Sequence, residues 1–337
     1  MKAFANVNPR TLEEAVSVLA RSRRDGARAV VTGGGSDLLG LIKERLILPD
    51  VVVNLKAIGG MDRVTIDGDV TRIGGLITLD ALGRDPVVKQ QYRALSDAAN
   101  SVGTPQIRNA GTLAGNVCQR PWCWYLRNGF PCYKNGGDQC FARGGENQLH
   151  AIFGSGPSYI VHPSDTAPAL VALDASFRIV GTAGERVVRA RDFFVLPAQD
   201  PARENVLSDS DILVDIILPT ARSATRITST YEKVLDREAW THALVSAAVV
   251  LEMDGNVCRR ARLVLGGVAP VPWDRPRVAT LLEGRRLTPE LAAKAADAAV
   301  EDARPLSKNG YKVPLTRALV RRTLLALAGG PGSGGNE

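Results

Sequence analysis

The stretch from Ala110 to Phe141, AGTLAGNVCQRPWCWYLRNGFPCYKNGGDQCF, constrains this chain more than any other. It carries Cys118, Cys123, Cys132 and Cys140, separated by four, eight and seven residues, while the fifth cysteine, Cys258, stands far downstream. Four soft thiolates on one short irregular segment suit a 4Fe-4S cluster, because each iron takes one exterior sulfur and a loop can wrap a cube without strain. The count leaves none to spare. Structural zinc is one alternative, although zinc ligands usually pair at closer spacing and only the Cys118 to Cys123 step approaches it. Disulfides are another, but no secretory signal accompanies the cysteines. Trp122, Trp124, Tyr125, Phe130, Tyr133 and Phe141 crowd the same stretch. They form either a wall that restricts water around a metal centre or an ordinary satellite core beneath a long loop. Arg120, Arg127, Lys134 and Arg143 are candidates to offset the charge of an anionic cluster, against the plainer reading of a basic solvated surface.

A chain of 337 residues, 45% hydrophobic and 23% charged, has the composition of a globular protein and the length of two or three domains. Its longest uncharged apolar run, Ala243 to Leu251, is too short to cross a bilayer, so no membrane insertion is expected. The opening MKAFANVNPRTLEEAVSVLARS has no apolar core segment or cleavage site, and no apolar stretch follows Arg23-Arg24. No export signal is therefore expected. The net charge of +7 is spread along the chain without helix-turn-helix or finger spacing, which excludes a nucleic-acid reader and leaves an anionic cofactor, cluster or partner face.

From the N-terminus, Thr11-Leu12-Glu13-Glu14 reads as a capping box that opens an amphipathic helix, followed by a buried strand over Ala27 to Thr32. Gly33-Gly34-Gly35-Ser36-Asp37-Leu38 then leads into a short helix. Three glycines let backbone amides approach an anion, and the helix start adds a favourable dipole, so the run is a candidate phosphate cradle as well as a possible plain turn. It is neither a Rossmann fingerprint, since Leu38 takes the third glycine position, nor a P-loop. Val51 to Leu55 reads as a strand, residues 64–73 as a hairpin turning at Asp67-Gly68, and Thr78 and Asp85-Pro86 as helix starts, the second running towards Ala98. Gly111 to Asn116 is a second Gly-rich turn, with Asn116 holding the turn or touching a ligand.

Beyond the cysteines, Tyr159 to Val161 reads as a strand, Thr166 to Asp174 as a helix, 176–189 as a hairpin and Ile212 to Leu218 as a strand. A domain boundary is expected near Thr220 to Thr225. Ala243 to Met253 and Val257 to Leu265 flank the turn Asp254-Gly255-Asn256, Thr288-Pro289 caps an Ala-rich helix, and Leu315 to Ala328 is the last helix. Gly329 to Glu337 reads as a disordered tail. Cys258 alternates with apolar neighbours as a packed thiol, and His150, His162 and His242 show no ligand spacing. Without a nucleophilic or paired-carboxylate arrangement, the chemistry is expected to belong to bound cofactors.

Six ordered motifs cover nearly the whole chain: VVTGGGSDLL, NAGTLAGN at 109–116, HPSDTAPALVALDA at 162–175, DILVDIILP at 211–219, YEKVLDRE at 231–238 and LVLGGVAPVPWDRP at 263–276. Together they resemble the FAD-binding medium subunits of molybdenum hydroxylases, the family of the xanthine dehydrogenase flavin domain and of carbon monoxide dehydrogenase. The resemblance implies an α+β fold: a two-lobed FAD-binding domain of the vanillyl-alcohol-oxidase type over residues 1–222, with lobes about 1–55 and 56–222, then a C-terminal domain of antiparallel sheet and helices over 223–328. It implies FAD held by Val31, Thr32, Gly33, Gly34, Gly35, Ser36, Asp37 and Leu38 at the pyrophosphate. Thr112, Ala114, Gly115 and Asn116 would form a second loop, with further contacts at Asp165, Leu213 and Lys233. Ala114 stands where many relatives carry glycine. The loop at 117–145 is similar to that of cluster-bearing members such as 4-hydroxybenzoyl-CoA reductase, which implies Cys123, Cys132 and Cys140 as ligands. Cys118 is assigned the fourth place, since this chain lacks the downstream cysteine of that type.

The function so implied is an electron-transfer subunit of an aldehyde- or xanthine-oxidising complex. Electrons would come from a molybdopterin-containing large subunit through a 2Fe-2S subunit to this FAD, and leave to an external acceptor. A free-standing flavin oxidoreductase and a zinc-stapled adaptor are the alternatives. Substrate and acceptor are not encoded here, and the compartment is cytoplasm, or periplasm by co-export with a partner.

Overall fold

The computed structural model describes residues 2–220, 226–237 and 241–328. The expected boundary at 220–225, the last residue of the motif at 231–238 and the expected disordered tail at 329–337 lie wholly or partly outside them. The first helix, Leu12–Arg24, begins as its capping box dictates: the Glu14 amide donates to Thr11 Oγ1 at 3.2 Å. The Glu14 carboxylate takes the amide of Arg10, at 2.6 Å, rather than that of the cap itself. Glu13 and Glu14 sit at its positive end and Arg21, Arg23 and Arg24 at its negative end, complementing the helix dipole. Its buried Ala15 and Leu19 pack with Val53 of a small parallel sheet and with Leu55 just beyond it. That sheet joins β1 (Ala5–Val7), β2 (Ala29–Thr32) and β3 (Val51–Asn54) in the order β1-β3-β2.

The second sheet is antiparallel: β4 (Val64–Asp67), β5 (Val70–Gly74), β6 (Ser176–Gly181), β7 (Gly184–Arg189) and β8 (Ile212–Pro219), in the order β4-β5-β8-β6-β7. Between β5 and β6 the chain leaves the sheet for six short helices, the cysteine loop and the helix Thr166–Ala172. The helix expected from Pro86 towards Ala98 breaks at Tyr92 into Pro86–Gln91 and Arg93–Asn100. Tyr92 is buried, and its hydroxyl lies 2.8 Å from Thr71 Oγ1 and 3.1 Å from the Pro219 carbonyl, so the ring is drawn onto the ends of two inner strands and the backbone leaves the helical region.

The C-terminal sheet comprises β9 (Arg226–Val234), β10 (Val245–Asp254), β11 (Val257–Gly266), β12 (Trp273–Asp274) and β13 (Arg285–Arg286). Its order is β12-β11-β10-β9, with β13 paired to β11. Successive side chains of a strand face opposite ways. Val245, Ala247, Val249 and Leu251 meet the helices Pro276–Leu282, Pro289–Val300 and Lys312–Ala328, while Ala248 and Tyr231 meet the core of the second lobe. The apolar run at 243–251 is therefore a strand covered on both faces. The strand expected at Tyr159 to Val161 is absent: the Ala151 amide donates to Tyr159 O within the same domain and the His162 amide to Ala269 O in the C-terminal domain, isolated bonds that hold an irregular segment without building a ladder. Among the described residues, no helix is long and apolar enough to cross a membrane.

Candidate functional site

The two glycine-rich turns interlock. A Cβ on Gly34 would stand 2.0 Å from the Ala110 carbonyl oxygen, and one on Gly33 would stand 2.7 Å from Thr112 Oγ1. Gly34 is small because backbone meets backbone there and Gly33 because the Thr112 side chain packs against it, and Gly35, at φ +74°, takes the left-handed turn that leads into the helix Leu38–Lys43. Among the described residues, the amides of Gly33 to Asp37 donate to no protein acceptor. A run of unused N–H groups at a turn is the chemistry a diphosphate requires, so this segment fits a flavin dinucleotide.

The second turn is sewn to the residues after β5: the amides of Leu113 and Ala114 donate to Ile77 O and Gly75 O, and Thr112 Oγ1 caps the helix Leu113–Val117. Ala114 packs against the core of the second lobe, its methyl 3.0 Å from where a Cβ on Gly75 would stand, so the glycine that this alanine needs lies across the contact. Leu213 is buried in the same core. Asn116 is buried, and its Oδ1 accepts the hydroxyls of Ser164 at 2.6 Å and Thr166 at 2.7 Å. Asp165 accepts Tyr231 OH and Lys233 Nζ, each at 2.6 Å. Burial, reinforced by the Asp165 charge, raises the Tyr231 phenol well above its ordinary range. The structure thus gathers Asn116, Asp165 and Lys233 around the start of the helix Thr166–Ala172.

Asp37 turns away from the helix it precedes. Its carboxylate accepts Arg127 Nη2 at 2.7 Å and the Arg120 amide at 2.9 Å, tying the glycine turn to the cysteine loop. Arg127 also donates to Glu44 and to the carbonyls of Pro121 and Arg120, and stacks over Trp122 at 4.2 Å. Arg120 and Lys134 both pair with Glu204. These three cations, expected to offset a cluster, are instead matched by carboxylates.

Inside the loop, Cys132 and Cys140 are brought together by a tight reversal: the Tyr133 amide donates to Gln139 O at 3.2 Å and the Gly137 amide to Cys132 O at 2.9 Å. Cys123 precedes the helix Trp124–Arg127. Burial pushes its thiol up to about 11; the amides of Leu126 and Tyr125 pull it down, and Cys140 and Cys132 lie near enough to add to the rise. Cys118 packs against the second-lobe core, where burial alone pushes it up to about 12. Cys123 thus has Cys132 and Cys140 among its neighbours, while Cys118 closes the helix Leu113–Val117 and packs against the second-lobe core. Among the described residues, no three of His, Cys, Asp and Glu are grouped to hold a single metal ion. Tyr125, Phe130 and Phe141 form the expected aromatic wall, with ring centres 5.0 to 6.1 Å apart. Trp122 and Trp124 stay outside it, exposed. Cys258 is the buried, packed thiol expected of it.

Trp122, Cys123, His150, Ile160 and His242 line a cavity of about 460 Å³ between the loop and the C-terminal domain, within the range of small-molecule sites. It shares Val161, Pro163 and His242 with a smaller cavity lined by Asp165, so one crevice runs from the cysteines towards the Asp165–Lys233 pair. Sequence reasoning missed what frames it. Lys312 Nζ donates to Leu149 O and Gly267 O, and burial lowers this amine to about 7. Asn309 donates to His150 O and Ala151 O, and Asn147 to Ala142 O. Single polar residues in a C-terminal turn and helix carry no sequence pattern that would have revealed them.

Residues 2–221 match the family model described as the FAD binding domain in molybdopterin dehydrogenase, and 230–327 the CO dehydrogenase flavoprotein C-terminal domain. The chain is 32% identical to the aldehyde oxidoreductase FAD-binding subunit PaoB of Escherichia coli (strain K12), over 97% of this chain and 98% of the relative. It is 27% identical to the carbon monoxide dehydrogenase medium chain of Hydrogenophaga pseudoflava, over 94% of each. Among solved structures, carbon monoxide dehydrogenase from H. pseudoflava, in a form lacking the Mo-pyranopterin moiety, superposes with a TM-score of 0.75 at 24% identity, over 96% of each chain. Quinoline 2-oxidoreductase from Pseudomonas putida 86 gives 0.74 at 25%, over 98% and 99%.

Proposed function

The chain belongs to the FAD-binding subunits of the molybdenum hydroxylase family, and from that premise we propose that it is the flavin and iron–sulfur electron-transfer subunit of an aldehyde-oxidising complex. The observation that carries this reading is the interlocked pair of glycine turns with its run of unused amides, in a chain 32% identical to an aldehyde oxidoreductase subunit. When bound, a flavin supplies the junction between carriers that deliver single electrons and an acceptor that takes a pair. The turn at Gly33 to Leu38 would hold its diphosphate, and the paired Asp165 and Lys233 would fix polar groups along the crevice.

The relatives are described as subunits and medium chains, which supports assembly with a molybdopterin-containing large subunit and a 2Fe-2S subunit. The cysteine loop would hold a 4Fe-4S cluster. A cube offers four irons, so its donors stand farther apart than those of a single ion, in keeping with three neighbouring cysteines that do not close on one point. The aromatic wall would keep that neighbourhood dry. The purified chain should show flavin and iron–sulfur absorption with releasable FAD, iron and sulfide; zinc without colour would instead establish the adaptor reading. In the reconstituted complex, flavin-depleted subunit should abolish turnover with the terminal acceptor while substrate still reduces the partner subunits. Undiminished turnover would refute the electron-transfer role.

A further inference from the structure

The flavin reading uses the turn at Gly33 to Leu38 and the Asp165–Lys233 pair, and neither lines the larger cavity beside the cysteine loop. That cavity, of about 460 Å³, continues into the smaller one through Val161, Pro163 and His242, so it opens towards the pair from the far end of the crevice. Its walls are chiefly apolar. Ile160 and Leu244 line it, and Trp124 and Leu149 line it while remaining 58% and 59% exposed, which places them at its mouth. Trp122 is a fixed part of the wall, held by the Arg127 guanidinium 4.2 Å from its ring centre.

Three of the polar groups beside them already have protein partners. His150 Nε2 meets Cys123 Sγ at 3.4 Å, Gln148 donates to Glu146, and Thr241 Oγ1 donates to Arg237 O at 3.1 Å. Among the described lining residues the carboxylates are Glu146 and Asp236, and there is no lysine or arginine. Lys308 pairs with Glu146 from outside, which leaves the wall negative by Asp236. Such a cavity gains by covering a flat apolar ring and repels an anion. A nicotinamide dinucleotide would bring a second diphosphate to a wall with neither a cation nor a glycine turn to receive it.

We propose that this cavity is where the external electron acceptor lands, and that the acceptor is an uncharged planar aromatic oxidant of the quinone class. This rests on the reading that the same crevice holds a flavin. A quinone leaves as its hydroquinone, having gained two electrons and two protons, the number a fully reduced flavin gives up on returning to its oxidised form. The partner's 2Fe-2S carriers restore the electrons, and water restores the protons.

The test dialyses the full chain, loaded with FAD, against a neutral hydroxymethyl-anthraquinone and the matching anthraquinone sulfonate, rings that do not add to the Cys123 thiol. The neutral ring should bind, and the sulfonate about tenfold more weakly. Trp124→Ala and Leu149→Glu should each weaken the neutral ring by about tenfold while flavin content per chain stays unchanged, which separates a lost contact from misfolding. Glu146→Gln combined with Asp236→Asn should narrow the gap between the two rings. In the reconstituted complex with an aldehyde as reductant, Trp124→Ala should raise KM for tetramethylbenzoquinone and leave KM for the aldehyde unchanged. No binding of the neutral ring, equal binding of the two rings, or variants that bind as tightly as the wild type overturns the assignment. So does neutral-ring binding confined to the flavin-free chain and displaced by FAD, which would give the cavity to the flavin ring itself. A chain that takes up no FAD overturns the flavin reading instead, a different and recognisable failure.

Discussion

At Gly34 a single hydrogen atom sits where any larger group would strike the Ala110 carbonyl, so the anion turn exists only while the second glycine turn lies against it. Gly34→Ala should push the two apart, at a cost of about 1–3 kcal/mol typical of overpacking. The chain should then purify with much less FAD, measured as flavin released per chain, whereas Gly26→Ala, with open space around it, should keep its flavin at some cost from a positive φ. His162 gives a pH signature at the same scale. Burial, with help from the Lys134 charge, lowers its imidazole from 6.5 to about 3. The folded state refuses a proton that the unfolded chain accepts, so this contribution to stability is complete above pH 6.5 and is lost as pH falls through about 3. Thermal unfolding at pH 7 and pH 4.5 should show a smaller acid-induced drop in Tm for His162→Gln than for the wild type.

Among elements, the cysteine loop is the least regular and the most heavily tethered. Arg127, buried to 6% exposure of its side chain, joins Asp37 of the glycine turn, Glu44 and two carbonyls of its own loop. Arg127→Lys keeps the charge but cannot span those acceptors with a planar fork. Amide exchange over 118–145 should accelerate in that variant while the C-terminal sheet stays protected, and equal protection throughout would argue against the tether. Elements whose cause is local were legible in the sequence: the helix start capped by Thr11, the turn at Asp67-Gly68 and the hairpin at Asp254-Gly255 all appear where the residues placed them. Elements whose cause is distant were not. Tyr92 breaks a helix because of Thr71 and Pro219, and the run at Tyr159 stays irregular because single bonds, from Ala151 on one side and to Ala269 on the other, hold it in place of a ladder. The glycine run was read as a site, but the reason for two of its glycines, contact with Ala110 and Thr112, needed the fold.

For the whole molecule, the second lobe and the C-terminal domain are joined by polar contacts buried on both sides. Asp165 meets Tyr231 and Lys233 across the join, with side-chain exposures of 5% and 3% for the ion pair. Asp165→Asn would leave the lysine charge buried and unpaired, a loss of about 3–5 kcal/mol. Denaturant unfolding should shift to lower midpoint, and the double change Asp165→Asn with Lys233→Met should recover part of it.

Lys312 reaches Leu149 across 163 positions of sequence, and Asn309 reaches His150 across 159. Chains fold from the amino end as they are made. A ribosome therefore exposes the cysteines long before it releases the side chains that frame them, and the pocket can close only when synthesis is nearly finished. A product truncated before Asn309 would carry every cysteine of the loop, and its tethers to Asp37, Glu44 and Glu204, without the amide and amine that hold the carbonyls of Leu149, His150 and Ala151.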